Sequence, residues 1–323
     1  MGWLNRKKTI FASLGVFAAC FAGQAEATEN GASLYLLGSG GPGTAVMAPF
    51  EGVYLDKLIW IYDGNASAER EFPVNGNIAV GLDMTVVAEF PTILVVPSTN
   101  VLGGTLALGV TVPVGAPIVD VDALLTGPGG NTRAASVHDS ALTTGDPVAV
   151  VMMGWKSGDL NFQLSSIINT PIGHYREGQL ANLSLHRWAV DGSAAVSWHD
   201  AEAGWDVSAK AGYTWNGRND FTDYDSGDEI HVEGAIEHSF SPAFSLGAQV
   251  GWAKQVSDDE GPLGPFRGEV LAVGATASTT VMMAGKPGTF RGRYMHEVDV
   301  TNRPKGSTFW IDFSYPLAMK IPG

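Results

Sequence analysis

The sequence predicts an all-β fold, a transmembrane antiparallel β-barrel of the bacterial outer-membrane type with about 12 strands, within a range of roughly 10 to 14. Three observations lead to this prediction. Apolar and polar residues alternate over many consecutive segments, short and long connections alternate between those segments, and the chain opens with an export signal.

The alternation is clearest between Gly204 and Val256. Apolar side chains occupy every second position of the first segment, at Trp205, Val207, Ala209, Ala211, Tyr213 and Trp215. A strand points successive side chains to opposite faces, so this segment has one apolar and one polar face. The same pattern returns in the segments that begin at Glu229 and Phe244. Aromatic residues near the ends of apolar strand faces are typical of the two interfaces of a membrane barrel.

The remaining strands are predicted from the same twofold period. They cover residues 52–62, 77–96, 104–114, 146–155, 159–169, 192–199, 267–278, 289–300 and 306–317. The connections between successive strands are in turn long and polar, as at 115–145 and 170–191, and short, as at 156–158 and 241–242. Outer-membrane barrels have short periplasmic turns and longer outer loops, so this rhythm supports the barrel and predicts its orientation.

Three parts of the chain are predicted from composition. Arg6, Lys7 and Lys8 precede an apolar stretch and the small residues Ala25 and Ala27, which predicts a cleaved signal peptide at 1–27. Residues 28–51 form a Gly-rich segment, placed either in the periplasm or in the lumen, and residues 52–323 form the barrel. Within the Gly-rich segment, 38–43 matches the spacing of a dinucleotide fingerprint, but no helix pattern follows, so we interpret it as flexible.

Charge and cysteine content exclude several classes of function. Removing residues 1–27 takes away three basic residues and one acidic residue, which moves the net charge from −14 to −16. A chain this acidic is not expected to bind nucleic acid. The single cysteine, Cys20, lies in the predicted signal, so the mature chain has no thiol chemistry and no cysteine-bound metal. We expect no cofactor.

Charged residues on the predicted inner faces are the candidate site. Glu229, His231, Glu233 and Glu237 share one strand face, and Arg291, Arg293, Glu297 and Asp299 share another. Two interpretations remain open: inward charges of both signs create a field along a solute path, or they pack together and fill a narrow barrel. A metal site on Glu229, His231 and Glu233 is not expected, because residues two apart on a strand lie about 6.6 Å from one another.

Two sets of residues could indicate a hydrolase. Ser197, His199 and Asp200 are close in sequence, and so are His138, Asp139 and Ser140. Catalytic triads are defined by geometry and not by sequence proximity, and Asp200 falls in a predicted turn that points away from the other two side chains. The sequence therefore predicts that the protein is not an enzyme.

Four stretches resemble a known family, the outer-membrane proteins of the phenol meta-degradation pathway, or SphA-type transporters. These stretches are 31–54, 97–113, 154–175 and 219–251, and the most specific part is Thr222-Asp-Tyr-Asp-Ser-Gly227. The resemblance implies an outer-membrane channel for uptake of small hydrophobic or aromatic compounds. The implied partners are membrane lipid, the solute and the outer-membrane assembly machinery. The alternatives are an outer-membrane enzyme of the lipase or protease kind and a structural or surface-binding barrel.

Overall fold

The computed structural model describes residues 29–74, 77–126, 132–241, 243–260 and 267–320, so the predicted signal peptide lies outside the described residues. The chain is built almost entirely from strands, with one short 3-10 helix at Glu29–Gly31. The strands are β1 (Gly52–Val74), β2 (Asn77–Val101), β3 (Gly104–Thr111), β4 (Val114–Thr126), β5 (Thr132–Ser140), β6 (Thr143–Thr144), β7 (Val148–Ser157), β8 (Leu160–Asn169), β9 (Ala189–Asp200), β10 (Trp205–Asn216), β11 (Arg218–Asn219), β12 (Tyr224–Asp225), β13 (Glu229–Ser241), β14 (Phe244–Gln255), β15 (Glu269–Met283), β16 (Lys286–Thr301) and β17 (Lys305–Met319).

Twelve of these strands close into one antiparallel ring. The order around the ring is β1, β17, β16, β15, β14, β13, β10, β9, β8, β7, β3 and β2, and β2 pairs again with β1. The closing pair β1–β17 runs in register from Gly52 opposite Met319 to Asn65 opposite Lys305. A closed ring leaves no sheet edge unpaired, which a bilayer requires. The predicted barrel of about 12 strands is thereby confirmed.

The region 115–145, which the sequence predicts as one long loop, instead contains strands. It holds β4, β5 and β6, and β4 pairs with the first half of β2 from Leu82 opposite Val121 to Glu89 opposite Val114. Strand β2 thus pairs with β3 along its second half and with β4 along its first half. The wall is extended here beyond the ring, because β2 is 25 residues long while β3 has only 8.

The two ends of the barrel differ in their connections. At one end the strands are joined by short turns, such as Leu102-Gly103 and Ala284-Gly285, in which both residues have positive φ. Two-residue hairpin turns of this kind match the twist of the paired strands. At the other end lie the long connections 170–188 and 217–228, the described residues 256–260 and 267–268 between β14 and β15, and the β4–β6 extension, together with one short connection at 302–304. We call these the short-turn end and the long-loop end; by the rule for outer-membrane barrels they face the periplasm and the cell exterior.

The outward faces form an apolar belt. Trp205 and Trp215 are 40% and 47% exposed and mark the two ends of β10. They lie ten residues apart, which at ~3.3 Å per residue and a tilt of about 40° corresponds to roughly 25 Å along the membrane normal. Val207 and Val250 are exposed between these levels. Among the described residues, no helix has the length and apolar character needed to cross a membrane.

Candidate functional site: a lumen divided between the N-terminal segment and an apolar cavity

Residues 29–51, which we call the inner segment, contact inward-facing side chains along the whole barrel. At the long-loop end, the Glu29 carboxylate accepts a hydrogen bond from Asn219 Nδ2 at 2.9 Å. Burial raises the pKa of the Glu29 carboxyl, although this hydrogen bond opposes the shift. At the short-turn end, Met47 contacts Gln163, whose Nε2 lies 3.2 Å from the Met47 sulfur. The segment therefore occupies part of the lumen from one end to the other.

Glu233 anchors the middle of the inner segment. Its two carboxylate oxygens accept hydrogen bonds from the backbone N–H groups of Gly38 at 2.7 Å and Gly40 at 2.8 Å. From β16, three strands away around the ring, Arg293 Nη1 donates to the carbonyls of Gly38 at 2.6 Å and Ser39 at 3.0 Å. The backbone is thus held between an anion that accepts from its N–H groups and a cation that donates to its carbonyls, which is charge-assisted hydrogen bonding on both sides.

Gly38 and Gly40 are required because their surroundings leave little room for a Cβ atom. A Cβ on Gly40 would lie 2.8 Å from both Glu233 Oε2 and Tyr35 Oη, and Gly38 has φ +102° with Trp310 Nε1 3.2 Å from the position of its Cβ. Only glycine fits such close approaches and such a dihedral without strain. The interpretation of residues 38–43 as a flexible segment is therefore wrong. The glycine spacing of this stretch results from its close packing against the barrel wall.

The other candidate residues of β13 also face the inner segment. Glu229 accepts a hydrogen bond from Ser33 Oγ at 2.6 Å, and the ring of His231 stacks on Tyr35 with centroids 3.4 Å apart. Glu237 pairs with Arg291 at 3.1 Å, and Arg291 Nη1 also donates to the Pro42 carbonyl at 3.3 Å. All three glutamates and the histidine are buried, so in this structure they border the segment.

On β16, the candidate residues have local partners. Arg293 pairs with Asp312 at 2.5 Å, and the Glu297 carboxylate accepts from the Gly306 N–H at 2.6 Å and pairs with Arg303 at 3.6 Å. Asp299 lies beyond the bulge in the β15–β16 pairing and is exposed. The role of these eight residues along a solute path stays a prediction.

Several residues of the site were missed in the sequence. Asp191 accepts hydrogen bonds from Thr214 at 2.8 Å and from Ser193 at 2.5 Å and lies 2.9 Å from His231 Nε2, and Lys210 lies over the Tyr35 ring. Lys210 occupies an inward position that the strand alternation marks as polar, so that alternation was a usable signal there. Asp191 lies in the predicted connection 170–191, and the strand in fact begins earlier, at Ala189. The inner segment, which these residues contact, could not be placed in the lumen from its sequence, because its polar and apolar residues follow no regular period.

The fit of the inner segment can be tested at Gly40. A Gly40→Ala substitution is expected to loosen the segment by about 1–3 kcal/mol, the usual cost of overpacking, because the new methyl group overlaps Glu233 and Tyr35. Hydrogen exchange of the segment amides should rise. Gly192→Ala is the matched control, since a Cβ there meets nothing within 4 Å. Equal exchange in both variants would contradict the close packing.

Beside the inner segment lies a largely apolar cavity of about 440 Å³, bordered mainly by β1, β2 and β17 and also by β4, β7 and the connection 170–188. Aromatic rings form its wall: Trp60 stacks with Tyr62 at 5.8 Å and lies 6.3 Å from Trp310 and 6.4 Å from Phe90, measured between ring centroids. Aliphatic and thioether side chains add to the lining, among them Leu34, Leu58, Leu82, Met84, Val86, Val119, Val150, Leu180, Leu183 and Leu185. Charged side chains border the cavity as well, namely Asp56, Lys210, Arg293, Glu297, Arg303 and Asp312. Such a cavity can enclose a small apolar molecule.

This cavity overturns one expectation from the sequence. The general prediction places apolar faces toward lipid and polar faces toward the lumen, but on β1 and β2 apolar side chains also point inward. Leu82, Val86 and Ala88 are buried inside the barrel, while Val87 on the opposite face is 41% exposed. Both faces of β2 are apolar because its inward face borders the cavity and not water.

Part of the long connection 170–188 covers the cavity at the long-loop end. Leu180 and Ala181 pack against Leu82, Val119 and Val121. The connection is held by Asp146, whose carboxylate accepts from Ser184 Oγ at 2.7 Å and from the backbone N–H groups of Gly173 and His186 at 2.9 Å each. These bonds fix the cover directly above the aromatic wall.

A second carboxylate, Asp139 of β5, fixes the same cover. It accepts from the Ala181 N–H at 2.8 Å and from Arg176 Nη2 at 3.2 Å. Burial alone would raise the pKa of Asp139, but these donors outweigh it and lower the pKa below its usual value. The folded-state pKa lies below the unfolded one, so this contribution is present above the unfolded value and is lost only as pH falls through the lowered pKa. The cover therefore keeps this bond in mild acid.

The residues that suggested a hydrolase have other partners. Ser197 Oγ accepts from the Ala45 N–H at 3.0 Å and bonds Ser208 Oγ at 2.7 Å, while His199 pairs with Asp206 at 3.0 Å. His138 pairs with Asp120 at 2.7 Å, not with Asp139. Within the described ranges, no group of three His, Cys, Asp or Glu side chains is placed to hold a metal ion.

The closed ring, the outward apolar belt and the unequal ends define the class: the protein is a bacterial outer-membrane β-barrel. The chain belongs to the family described as "Putative MetA-pathway of phenol degradation", whose sequence model matches residues 68–313. The family resemblance found in the sequence is thereby confirmed. No curated protein sequence matches the chain.

Solved structures share the architecture. An outer membrane channel from Pseudomonas putida F1 superimposes with a TM-score of 0.68 and 17% identity, covering 85% of this chain and 98% of that one. The CymD monoaromatic hydrocarbon channel gives 0.43 and 8%, covering 85% and 90%. A Pseudomonas aeruginosa FadL homologue gives 0.42 and 10%, covering 86% and 93%. The first of these similarities supports the fold; the other two are too weak to carry an argument.

Proposed function

We propose that the protein is an outer-membrane channel for the uptake of small hydrophobic or aromatic compounds. The observation that carries this proposal is the aromatic cavity of about 440 Å³ inside a barrel that crosses the membrane. An aromatic ring that enters the cavity exchanges water for offset and edge contacts with the wall around Trp60 and Phe90.

The family description points the same way, because it refers to phenol degradation. The barrel's further partners in this function are the membrane lipid around the apolar belt and the machinery that assembles outer-membrane proteins. The function needs no covalent step. Five of the eight charged candidate residues bear on it indirectly, because they contact the inner segment and so set how much of the lumen stays free for the solute: Glu229, His231, Glu233, Arg291 and Arg293.

An enzyme of the lipase or protease kind receives less support. Such an enzyme needs a serine or aspartate paired with a histidine at the lipid boundary. Ser197 is buried, with its hydroxyl directed at the inner segment and Ser208, and His199 pairs with a carboxylate that also accepts from the Gly43 N–H. A hydrolase screen with the purified barrel should therefore give no turnover.

The cavity can be blocked with one substitution. Val86→Trp fills the cavity from β2, and we expect uptake of a labelled monoaromatic compound by cells or liposomes to fall about ten-fold or more, since the bulky ring removes the space and overpacks its neighbours. Val87→Trp is the matched control: it adds the same ring one residue away on the lipid face. Uptake should survive there. Equal uptake in both variants, at equal surface levels, would refute the cavity as the solute path.

A further inference from the structure

A row of polar side chains crosses the cavity wall on the short-turn side of its aromatic rings. The row runs through adjacent strands and consists of Thr111 of β3, Thr92 of β2, Asp56 of β1 and Ser314 of β17. Opposite residues of an antiparallel pair share a face of the sheet, and Asp56, Thr92 and Thr111 line the cavity. The row lies near the short-turn end, because β1 begins at Gly52, four positions before Asp56.

The neighbouring layers toward the long-loop end are mainly apolar and aromatic. Two positions further along β1, Leu58 lies opposite Phe90 of β2, and Trp60 follows after two more positions. Residues that are diagonal to each other across two antiparallel strands have Cα atoms about 7–8 Å apart. Asp56 and Phe90 are such a pair, so a solute whose polar head reaches Asp56 has its apolar body beside the aromatic wall.

Asp56 differs from the other carboxylates that line the cavity. Asp146, Glu297 and Asp312 each accept at least one hydrogen bond from the protein. The Asp56 carboxylate forms no hydrogen bond or ion pair with the described residues. Asp56 is also exposed, and because it lines the cavity, its exposed surface faces the lumen. A solute in the cavity can therefore reach an acceptor that is not already occupied by the protein.

The cationic side chains that border the cavity have anions of their own. They are Arg293 beside Asp312, Arg303 beside Glu297, and Lys210 facing Glu233 and Asp191. Arg293 and Asp312 also act on Asp56, with opposite signs, and because two hydrogen bonds join them, their fields largely cancel there. Asp56 thus lacks a counter-charge, and a carboxylate in an enclosed site is stabilised when a cation joins it.

We propose that Asp56 binds the ammonium group of a small amphipathic amine, whose apolar body lies against Phe90 and Trp60. This inference rests on the proposed function and names its substrate class: aromatic or aliphatic primary monoamines that are protonated at neutral pH. An ammonium group brings a positive charge and three N–H donors, whereas a neutral hydroxyl brings one donor and no charge. The aromatic wall also suits a cation, because the faces of aromatic rings attract positive charge.

The test is isothermal titration of the purified, detergent-solubilised protein at neutral pH with benzylamine, benzyl alcohol, sodium benzoate and toluene, each also titrated into detergent alone. Benzylamine should bind about ten-fold or more tighter than benzyl alcohol or toluene, the range of a charge-assisted hydrogen bond. Benzoate should bind most weakly, because Asp56 repels it. Asp56→Asn keeps the shape of the side chain and removes its charge; it should abolish the advantage of benzylamine and leave toluene binding unchanged.

The matched control is Asp63→Asn on the opposite face of the same strand, where the exposed Asp63 carboxylate accepts from Thr85 Oγ1 at 3.1 Å. If toluene binds but benzylamine binds no tighter than benzyl alcohol or benzoate, or if Asp56→Asn leaves benzylamine binding unchanged, the ammonium site is refuted while the channel for apolar solutes stands. If none of the four compounds binds, the proposed function itself fails. Should Asp56→Asn not assemble, the ranking of the four compounds on the parent protein decides.

Discussion

Deleting residues 29–49 is expected to raise the single-channel conductance of the barrel several-fold. The inner segment fills the part of the lumen that faces β9, β10, β13 and β16, and its removal replaces packed chain by water. The ring of twelve strands does not depend on it, because each strand pairs with two neighbours. The carboxylates of Glu229 and Glu233 then lose the donors of the segment but gain water, so the deletion variant should still assemble. Planar-bilayer recordings measure the change.

A disulfide that fixes the inner segment to the barrel wall provides the converse of the deletion. The only cysteine in the sequence is Cys20, in the predicted signal, so Ala45→Cys with Ser197→Cys adds two thiols to a mature chain without others. The Ala45 N–H donates to Ser197 Oγ at 3.0 Å, so the two residues are in contact. A disulfide also needs Cβ atoms about 3.5–4.5 Å apart, so its formation is checked first by the loss of free thiols on oxidation. The oxidised variant should keep the low conductance and lose any large openings of the parent channel. An unchanged conductance after deletion would mean that the inner segment does not limit the pore.

An arginine on the lipid face is expected to have the second largest effect. Val250 is 45% exposed on the outward face and lies level with Ala209, since both are paired with Gly234. Ala209 is close to midway between Trp205 and Trp215, so Val250→Arg places its charge near the bilayer midplane, at a cost of about 2–4 kcal/mol. Val207→Arg, two residues from Trp205, should cost less because it is closer to the interface.

The control is Ala243→Arg, which adds the same charge at the turn between β13 and β14. Unfolding titrations in lipid vesicles should rank the variants as Val250→Arg, then Val207→Arg, then Ala243→Arg, from most to least destabilised. Equal destabilisation of all three would show that the inward and outward faces, or the depth of the strands, are assigned wrongly.

The strands could be predicted because a barrel wall between lipid and a polar interior requires apolar and polar residues to alternate along each strand. This held for β10, where Val207 and Tyr213 are exposed and Asp206, Ser208 and Thr214 are buried. It failed for β4 and β5, which lie in a region that the sequence showed only as a long connection. It also could not indicate which face of β2 points inward, since Val86 and Val87 are equally apolar.

The site could be predicted less well. The inward position of Glu233 follows from the alternation, but its partners Gly38 and Gly40 lie 195 and 193 positions away in the chain. No local pattern connects residues so far apart. The glycine-rich spacing was visible, yet its cause, the closeness of Glu233 and Tyr35, exists only after the barrel has formed. The cavity likewise depends on strands from both ends of the chain, together with the inner segment and the connection 170–188.

That same separation has a consequence for the order of events during biogenesis. The inner segment precedes every strand in the chain, and so leaves the ribosome and enters the periplasm before them, but its anchors Glu229, Glu233, Arg291 and Arg293 belong to strands that come more than 180 positions later. Contacts between such distant positions form slowly. The segment must therefore stay extended and soluble until β13 and β16 are in place. Its glycines and its lack of long apolar runs favour such an unpacked state. A segment that is made before every strand thus reaches its final place only after the strands that hold it.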